Sequence, residues 1–227
     1  MPLTSPFEKV HERMGAAFAE YDGWRLPKDF GEPAAERAAL EGGCAAFDLS
    51  SFGRISVKGE GAESLIKAIS GGETPWDGRW VWSASHDVGR LRIACSRGSY
   101  LVLTPPSEKQ AILERIRTMS APAGPDVADM TENTAMLGVY GPESLGAVTR
   151  ILPFDLSGLE LGGVRAMSLL MIHVTILRGS WTEGDGVEII CPAQAAPLAG
   201  GAVAKYQQRE RIVPAGMDCL MAAMRKA

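Results

Sequence analysis

Apolar positions along the chain recur at two spacings. Phe7, Val10, Met14 and Phe18 fall three or four residues apart, which predicts an amphipathic helix over residues 6–20. Tyr21-Asp22-Gly23-Trp24 then turns the chain. Pro33 opens a second helix through Ala34–Leu40, and Gly42-Gly43 ends it. Ala45 to Ser50 reads as a strand or the edge of a loop. Arg54 to Lys58 alternates apolar and polar side chains, the mark of a half-buried strand. Gly61 to Ile69 returns to the helical period, and Gly71-Gly72 stops it.

The middle of the chain is rich in strands. Arg79–Ala84, Arg90–Cys95 and Ser99–Leu103 read as successive antiparallel strands, with Arg97-Gly98 turning between the last two. Ser107 and Gln110 have capping-box spacing ahead of a helix over Ala111–Thr118. Ser120 to Pro125 is a Pro/Gly linker. A strand follows at Ala135–Tyr140, and Pro142 opens a helix behind Gly141. Strands are expected at Leu169–Leu177 and Val187–Cys191. Helices are expected at Ala193–Gln207, interrupted at Gly200-Gly201, and at Met217–Arg225. Strands and helices mix without a strict β-α-β rhythm, so an α+β fold with antiparallel sheets is favoured over a doubly wound parallel sheet.

Composition narrows the function classes. The 227 residues are 46% hydrophobic and 22% charged, ordinary for a globular chain with a real core. The net charge of -4, with Lys and Arg scattered, gives no footprint for nucleic acid. The apolar run Met167–Leu177 is broken by Ser168, His173 and Thr175 and is too short to span a bilayer. Cys44, Cys95, Cys191 and Cys219 lie far apart, and His11, His86 and His173 make no ligand spacing. Neither a metal site nor a disulfide framework is indicated. With no secretion signal at the start, free thiols in a reducing cytoplasm are expected.

Four segments in order resemble those of the glycine-cleavage T-proteins, the aminomethyltransferase family. Gly23-Trp24-Arg25-Leu26-Pro27 followed by Phe47-Asp48-Leu49-Ser50 is similar to G-G-W-x-M-P and F-D-V-S-H. Asp129-Met130-Thr131-Glu132, leading into Met136 to Pro142, is similar to D-x-T-x…A-L-L-x-x-Q-G-P. Arg178-Gly-Ser-Trp-Thr-Glu-Gly-Asp-Gly-Val-Glu188 resembles R-T-G-Y-T-G-E-D-G-F-E, and Pro214-Ala215-Gly216 resembles the P-x-G that opens the next helix. The family folds as a ring of three subdomains with tetrahydrofolate in a central channel. The resemblance covers the first two. It implies two interlocked subdomains over residues 1–227, antiparallel sheets flanked by helices, and a chain that ends where the C-terminal barrel would begin.

The resemblance also implies site residues. The family's pterin-binding Glu maps to Glu188, because a carboxylate can accept both hydrogens of the pterin's flat donor edge in strong charge-assisted bonds. The family's Tyr maps to Trp181, whose ring can stack on the ligand. The plain alternative is a β-hairpin whose turn is Thr182–Gly186, with Glu188 on a solvated face. The family's essential Asp belongs to G-G-x-x-D-D-x-x-V, and this chain reads Asp87-Val88-Gly89-Arg90-Leu91-Arg92-Ile93-Ala94. A guanidinium cannot do the work of that carboxylate, which leaves Asp87, from a shifted loop, as the candidate catalytic group. Arg90 and Arg92 read either as a solvated strand face or as partners for folate's glutamate tail or an anionic substrate. Asp48 and Ser50 match the segment that approaches the channel, and equally suit a loop cap. Trp76, Trp80 and Trp82 cluster, with Trp80 and Trp82 on one strand face. Near the C-terminus Arg225 is offset from the family's arginine.

Three functions follow from the resemblance. The first is tetrahydrofolate-dependent aminomethyl or methyl transfer, with a small-molecule one-carbon donor or a carrier protein as partner. The second is a non-catalytic subunit of a hetero-oligomeric enzyme, like the small subunit of heterotetrameric sarcosine oxidase. The third is a tetrahydrofolate-dependent demethylase component. A hetero- or homo-oligomer could make good the missing barrel.

Overall fold

The computed structural model describes residues 1–83, 90–120, 124–153, 155–169 and 171–226. In chain order the strands are β1 (Leu3–Thr4), β2 (Ala17–Tyr21), β3 (Trp24–Asp29), β4 (Cys44–Asp48), β5 (Gly53–Lys58), β6 (Arg79–Trp82), β7 (Arg92–Ser96), β8 (Ser99–Thr104), β9 (Asp126–Asp129), β10 (Thr134–Tyr140), β11 (Val164–Leu169), β12 (Ile172–Arg178), β13 (Gly186–Pro192) and β14 (Ile212–Pro214). The helices are α1 (Glu8–Arg13), α2 (Pro33–Gly42), α3 (Ala62–Ser70), α4 (Lys109–Met119), α5 (Ser144–Ile151), α6 (Ala196–Tyr206) and α7 (Met217–Met224). No helix among the described residues is long and apolar enough to cross a membrane.

Two larger sheets dominate. One has the order β11-β12-β13-β10-β4-β14 and the other β6-β7-β8-β5-β9, while β1, β3 and β2 form a small third sheet. Pairing is antiparallel except for β14 on β4 and β1 on β3. β5 to β9 lie in sequence between β4 and β10, so the five-stranded sheet is inserted into the six-stranded one and the two units interlock. The α+β class expected from the sequence is the class observed.

Side-chain alternation along the strands builds three cores from two sheets. On one face of the six-stranded sheet, Leu137, Val139, Val174, Ile176, Val187 and Ile189 pack with Ala147, Val148, Ala196 and Val203 of α5 and α6. On one face of the five-stranded sheet, Ile55, Val57, Ile93 and Val102 pack with α3 and α4 through Leu65, Ile66, Ile69, Ile112 and Ile116. The remaining faces meet each other. Phe47, Met136, Leu177 and Ile190 of one sheet close on Ala94 and Leu103 of the other. The layers run helix, sheet, sheet, helix, and the middle core lies between the two sheets.

Several local expectations are corrected. The helix expected over residues 6–20 is α1 alone; Gly15 breaks it at φ +80°, and Phe18 lies in β2. Asp22 (φ 48°) and Gly23 (φ 78°) make a two-residue hairpin turn, which outweighs the helical spacing upstream. Arg54 does not lie on a half-exposed face: it is fully buried. The single strand expected at Leu169–Leu177 is the hairpin β11–β12, with Met171 in the left-handed region between them. Met171 is almost fully exposed, and its apolar side chain hid the turn in the sequence.

The Ser107 capping box does not form. Pro106–Glu108 make a 3-10 turn first, and no side chain caps α4 among the described residues. Pro142 stands ahead of Glu143, the residue that caps α5, rather than at its first position. β9, in the stretch after the Pro/Gly linker, went unread. α6 runs unbroken through Gly200, where a Cβ would sit 3.0 Å from Phe7 Cδ1. That glycine lets α1 approach closely instead of ending the helix.

Gly216, from the P-x-G segment, has a similar reason. A Cβ there would lie 2.0 Å from the Lys28 carbonyl oxygen, backbone that cannot move aside independently. The Gly216 N–H donates to Glu36 Oε2 at 3.0 Å, and the Phe30 N–H donates to Glu36 Oε1 at 2.7 Å. Buried Glu36 thus ties the start of α7 to the end of β3. Gly216→Ala is expected to lower stability by about 3 kcal/mol, as steric overlap with fixed backbone does. An unchanged urea midpoint would contradict the close approach.

Candidate functional site

The turn between β12 and β13 is built by its own polar groups. Arg178 Nη2 holds Asp185 Oδ2 at 2.8 Å, and the Ser180 hydroxyl donates to the Gly184 carbonyl at 2.7 Å. Gly179, at φ +149°, has no room for a side chain, because a Cβ would lie 2.3 Å from Trp80 Cζ2. With the turn fixed in this way, Trp181 points into the middle core and is fully buried. Its ring centre lies 5.1 Å from that of Phe52 and 5.5 Å from that of Trp82.

Glu188 follows on β13, on the same face as Ile190, and is also fully buried. The solvated-face alternative is therefore excluded. Arg92 reaches it from the opposing sheet. Arg92 Nη2 donates to Glu188 Oε1 at 2.6 Å and to Oε2 at 2.5 Å, and the Tyr140 hydroxyl donates to Oε1 at 2.6 Å. The guanidinium carbon lies 4.4 Å from the ring centre of Trp181, 5.0 Å from Trp80 and 5.5 Å from Trp82. Arg92 is therefore caged by three indoles, whose faces attract a cation. Arg92 Nε and Nη1 and Trp181 Nε1 are buried without hydrogen-bond partners among the described residues.

Burial pushes the Glu188 carboxyl up, against the pull of Arg92 and the Tyr140 hydroxyl. Burial and the neighbouring Glu188 together hold the Tyr140 phenol well above its ordinary value, so it remains a donor. Arg90 sits at the edge of this cluster. It is half-buried, its guanidinium carbon is 4.7 Å from the Trp82 ring centre, and its backbone N–H donates to Glu108 Oε2 at 3.2 Å. Beside the Arg92–Glu188 pair, on the same strand faces, Ala94 and Ile190 line a cavity of about 350 Å³ between the sheets, together with Arg54, Ser56, Val164 and Thr175.

Asp48 and Ser50 belong to a second cluster at the end of β4. Asp48 Oδ2 accepts from the Ser5 hydroxyl and lies 2.9 Å from His11 Nε2, while Oδ1 accepts from the Ser50 N–H at 2.9 Å. The Ser50 carbonyl accepts from Arg54 Nη2 at 3.0 Å. These groups tie the N-terminal segment and the loop after β4 to the core, and Asp48 stands away from the Glu188 cage. Asp87 lies outside the described residues. Trp76 is mostly exposed, apart from the cage.

Burial works to raise the Asp48 carboxyl, but the hydrogen bond and charge of His11, with Ser5 and Ser50, hold it below the ordinary value. A depressed acid contributes stability that is present above its unfolded value, near 3.9, and is lost as pH falls through the folded-state value. Asp129, held low by Thr131 and Lys109 against burial, adds to the same acid arm. Asp48→Asn is expected to cost about 2 kcal/mol at neutral pH and to flatten the fall in stability below about pH 4. Urea midpoints of both proteins between pH 3 and pH 7 check this, and parallel curves would refute it.

Sequence reasoning missed Tyr140, His11, Ser5 and Arg54 as members of these clusters. Tyr140 was within reach. It ends the segment Met136–Tyr140, and β10 pairs with β13 so that Gly138 stands opposite Glu188. His11 and Ser5 carried no local signal, since they meet Asp48 across 37 and 43 residues of sequence.

Two sheets closing over a buried acid, with a cavity beside it, define an α+β domain whose polar centre lies in the inter-sheet space. The chain belongs to the GCVT N-terminal domain family, whose model matches residues 7–225. Among curated relatives, the aminomethyltransferase of Streptomyces coelicolor is 26% identical over 220 residues, covering 93% of this chain and 59% of the relative. The aminomethyltransferase of Geobacillus kaustophilus is 24% identical, covering 94% of this chain and 61% of the relative. The chain thus spans about three fifths of the length of the curated relatives it matches.

Among solved structures, the glycine cleavage system aminomethyltransferase T from Bartonella henselae superposes with a TM-score of 0.84 at 18% identity. The match covers 100% of this chain and 63% of that one. A chain of the heterotetrameric sarcosine oxidase from Corynebacterium sp. U-96 gives a TM-score of 0.63 at 16% identity, covering 90% of this chain and 94% of that one. These likenesses show the fold.

Proposed function

We propose that this chain serves tetrahydrofolate-dependent one-carbon transfer, of aminomethyl or methyl groups, and that Glu188 is the acceptor for the flat amidine edge of the pterin. Family membership supports the chemistry. The observation that carries the site is Glu188 itself, a fully buried carboxylate between the sheets whose partner Arg92 lies against the Trp181 ring. A carboxylate there can receive two parallel N–H donors, and desolvation makes that recognition strong and specific. Arg90, half-exposed next to Trp82, is the group for the ligand's anionic end. Asp87 is the carboxylate proposed for the reacting end. Cys44, Cys95, Cys191 and Cys219 are all free thiols, which suits a cytoplasmic setting.

The residues fit a pterin in kind, but in their present arrangement they do not leave its place open. Both oxygens of Glu188 are already engaged by Arg92 and one also by Tyr140. Calorimetric titration of the full chain with 5-formyltetrahydrofolate tests the proposal. Saturable binding that weakens at least tenfold in Glu188→Gln is expected, the scale of losing a charged hydrogen-bond acceptor. Absence of binding at saturating ligand, both in the wild type and in a variant without Arg92, overturns it.

A second reading is a non-catalytic subunit of a larger enzyme. The near-complete mutual coverage with the sarcosine oxidase chain favours it, and so does the closed Arg92–Glu188 pair. Tagged chain purified from its own cells would then emerge in fixed stoichiometry with an oxidase or a barrel-bearing protein. Recovery of the chain alone, as a monomer, would count against this reading. In the first reading the one-carbon donor is a carrier protein or a small molecule, and a small methylated donor would make the chain a tetrahydrofolate-dependent demethylase component.

A further inference from the structure

We propose that Arg92 is a built-in occupant of the pterin's place, an internal competitor that holds the folate channel closed. The inference rests on the folate reading of Glu188. A guanidinium and the amidine edge of a pterin present the same feature to a carboxylate, a flat N–C–N unit with outward N–H donors. Arg92 brings that unit to Glu188 from the opposing sheet and is fully buried there. One group cannot accept both sets of donors, so the side chain and the ligand exclude each other.

Three further observations set this pair apart from an ion pair that only holds the fold together. First, the contact is end-on. Nη2 alone serves both carboxylate oxygens, while Nε and Nη1 have no partners among the described residues. An arginine matched to its carboxylate uses two nitrogens side by side. The contact is therefore weaker than the geometry of the two groups allows, and more readily displaced. Second, three indole faces seat the guanidinium. Flat aromatic walls around a flat cation suit a flat heterocycle equally well. Third, the inter-sheet cavity of about 350 Å³ begins at Ala94 and Ile190, the next residues on the same faces as Arg92 and Glu188. Its size lies within the ordinary range for small-molecule sites. A ligand whose amidine end replaced the guanidinium would have somewhere to continue.

Arg92→Ala is expected to bind 5-formyltetrahydrofolate at least tenfold more tightly than the wild type in calorimetric titration. The gain should vanish in Arg92→Ala/Glu188→Gln. Should Arg92→Ala fail to fold, Arg92→Gln is the substitute. It keeps one donor toward Glu188, removes the charge, and is expected to gain several-fold. Equal affinities in the wild type and the Arg92 variants would leave the folate reading standing and overturn the competitor. Absence of folate binding by any of them overturns the folate reading and the inference with it. A separate readout needs no folate. Methylguanidinium at millimolar concentration should raise the Tm of Arg92→Ala, and leave the wild type and the double variant unchanged. Failure to raise it would show that the vacated place does not take a guanidine, and would overturn the inference even if folate bound more tightly.

Discussion

Replacing Arg54 by alanine is expected to cost about 4 kcal/mol or more, a large fraction of the stability of an ordinary domain. Arg54 is fully buried on β5 and faces the middle core. Its Nε donates to Thr134 Oγ1 at 2.7 Å. Nη1 donates to the carbonyls of Leu49 at 3.2 Å and Phe52 at 2.6 Å. Nη2 donates to those of Ser50 at 3.0 Å, Thr131 at 2.5 Å and Thr134 at 3.2 Å. One guanidinium thereby satisfies carbonyls from the loop after β4 and from the turn between β9 and β10, where the chain passes between the two sheets. Each buried carbonyl left without a donor costs about 1–3 kcal/mol unless water reaches it.

Burial lowers the Arg54 pKa to about 10, with Asp48 and Asp129 pulling the other way, so the charge is retained at neutral pH. Arg54→Lys is expected to recover less than half of the loss, because an ammonium has three donors where the fork serves six acceptors. Urea unfolding of both variants measures this. A loss below about 1 kcal/mol for alanine would mean that water replaces the fork.

Arg54 also shows how far the sequence could be read. The strand containing it was legible, because Ile55 and Val57 alternate with polar residues. The alternation also implied that Arg54 faced solvent, and that was the error. Period two identifies a strand with one apolar face, but it cannot say what covers the other face. Here the other face meets a second sheet, so Arg54, Arg92 and Glu188 read as solvated polar positions until the two sheets are put together. The same limit hid the Asp48 cluster, since Ser5 and His11 reach Asp48 only after the chain has folded back. Local errors had local causes. The Asp22-Gly23 turn competes with the helical spacing of Phe18, and the run from Met167 to Leu177 contains no turn residue to mark the β11–β12 hairpin. Family membership and the α+β class were legible because they rest on ordered segments, which survive without knowledge of the pairing.

Glu188→Leu is expected to cost about 3–5 kcal/mol, because it leaves the Arg92 guanidinium buried with no counter-charge. The Tyr140 hydroxyl loses its acceptor in the same variant. Arg92→Met should cost less, since a buried carboxyl can escape its charge by taking up a proton, and burial already pushes Glu188 in that direction. The double variant Glu188→Leu/Arg92→Met is expected to recover to within about 1–2 kcal/mol of the wild type, with Met filling the indole cage and Leu meeting Ile190 and Leu177. The expected coupling in this cycle is at least about 2 kcal/mol. Additive losses would mean that the two side chains do not sense each other through the buried contact. The cycle also decides how ligand experiments must be read. A Glu188→Leu or Glu188→Ala chain that fails to bind folate can fail because its core has opened around a stranded cation, so loss of binding there says little about recognition. Glu188→Gln keeps an acceptor for both Arg92 and Tyr140 and removes the charge. Glu188→Gln still leaves the buried guanidinium without a counter-charge, so its loss of stability should fall between zero and that of Glu188→Leu, and if the carboxylate is the folate acceptor it should lose the ligand at temperatures where the variant remains folded.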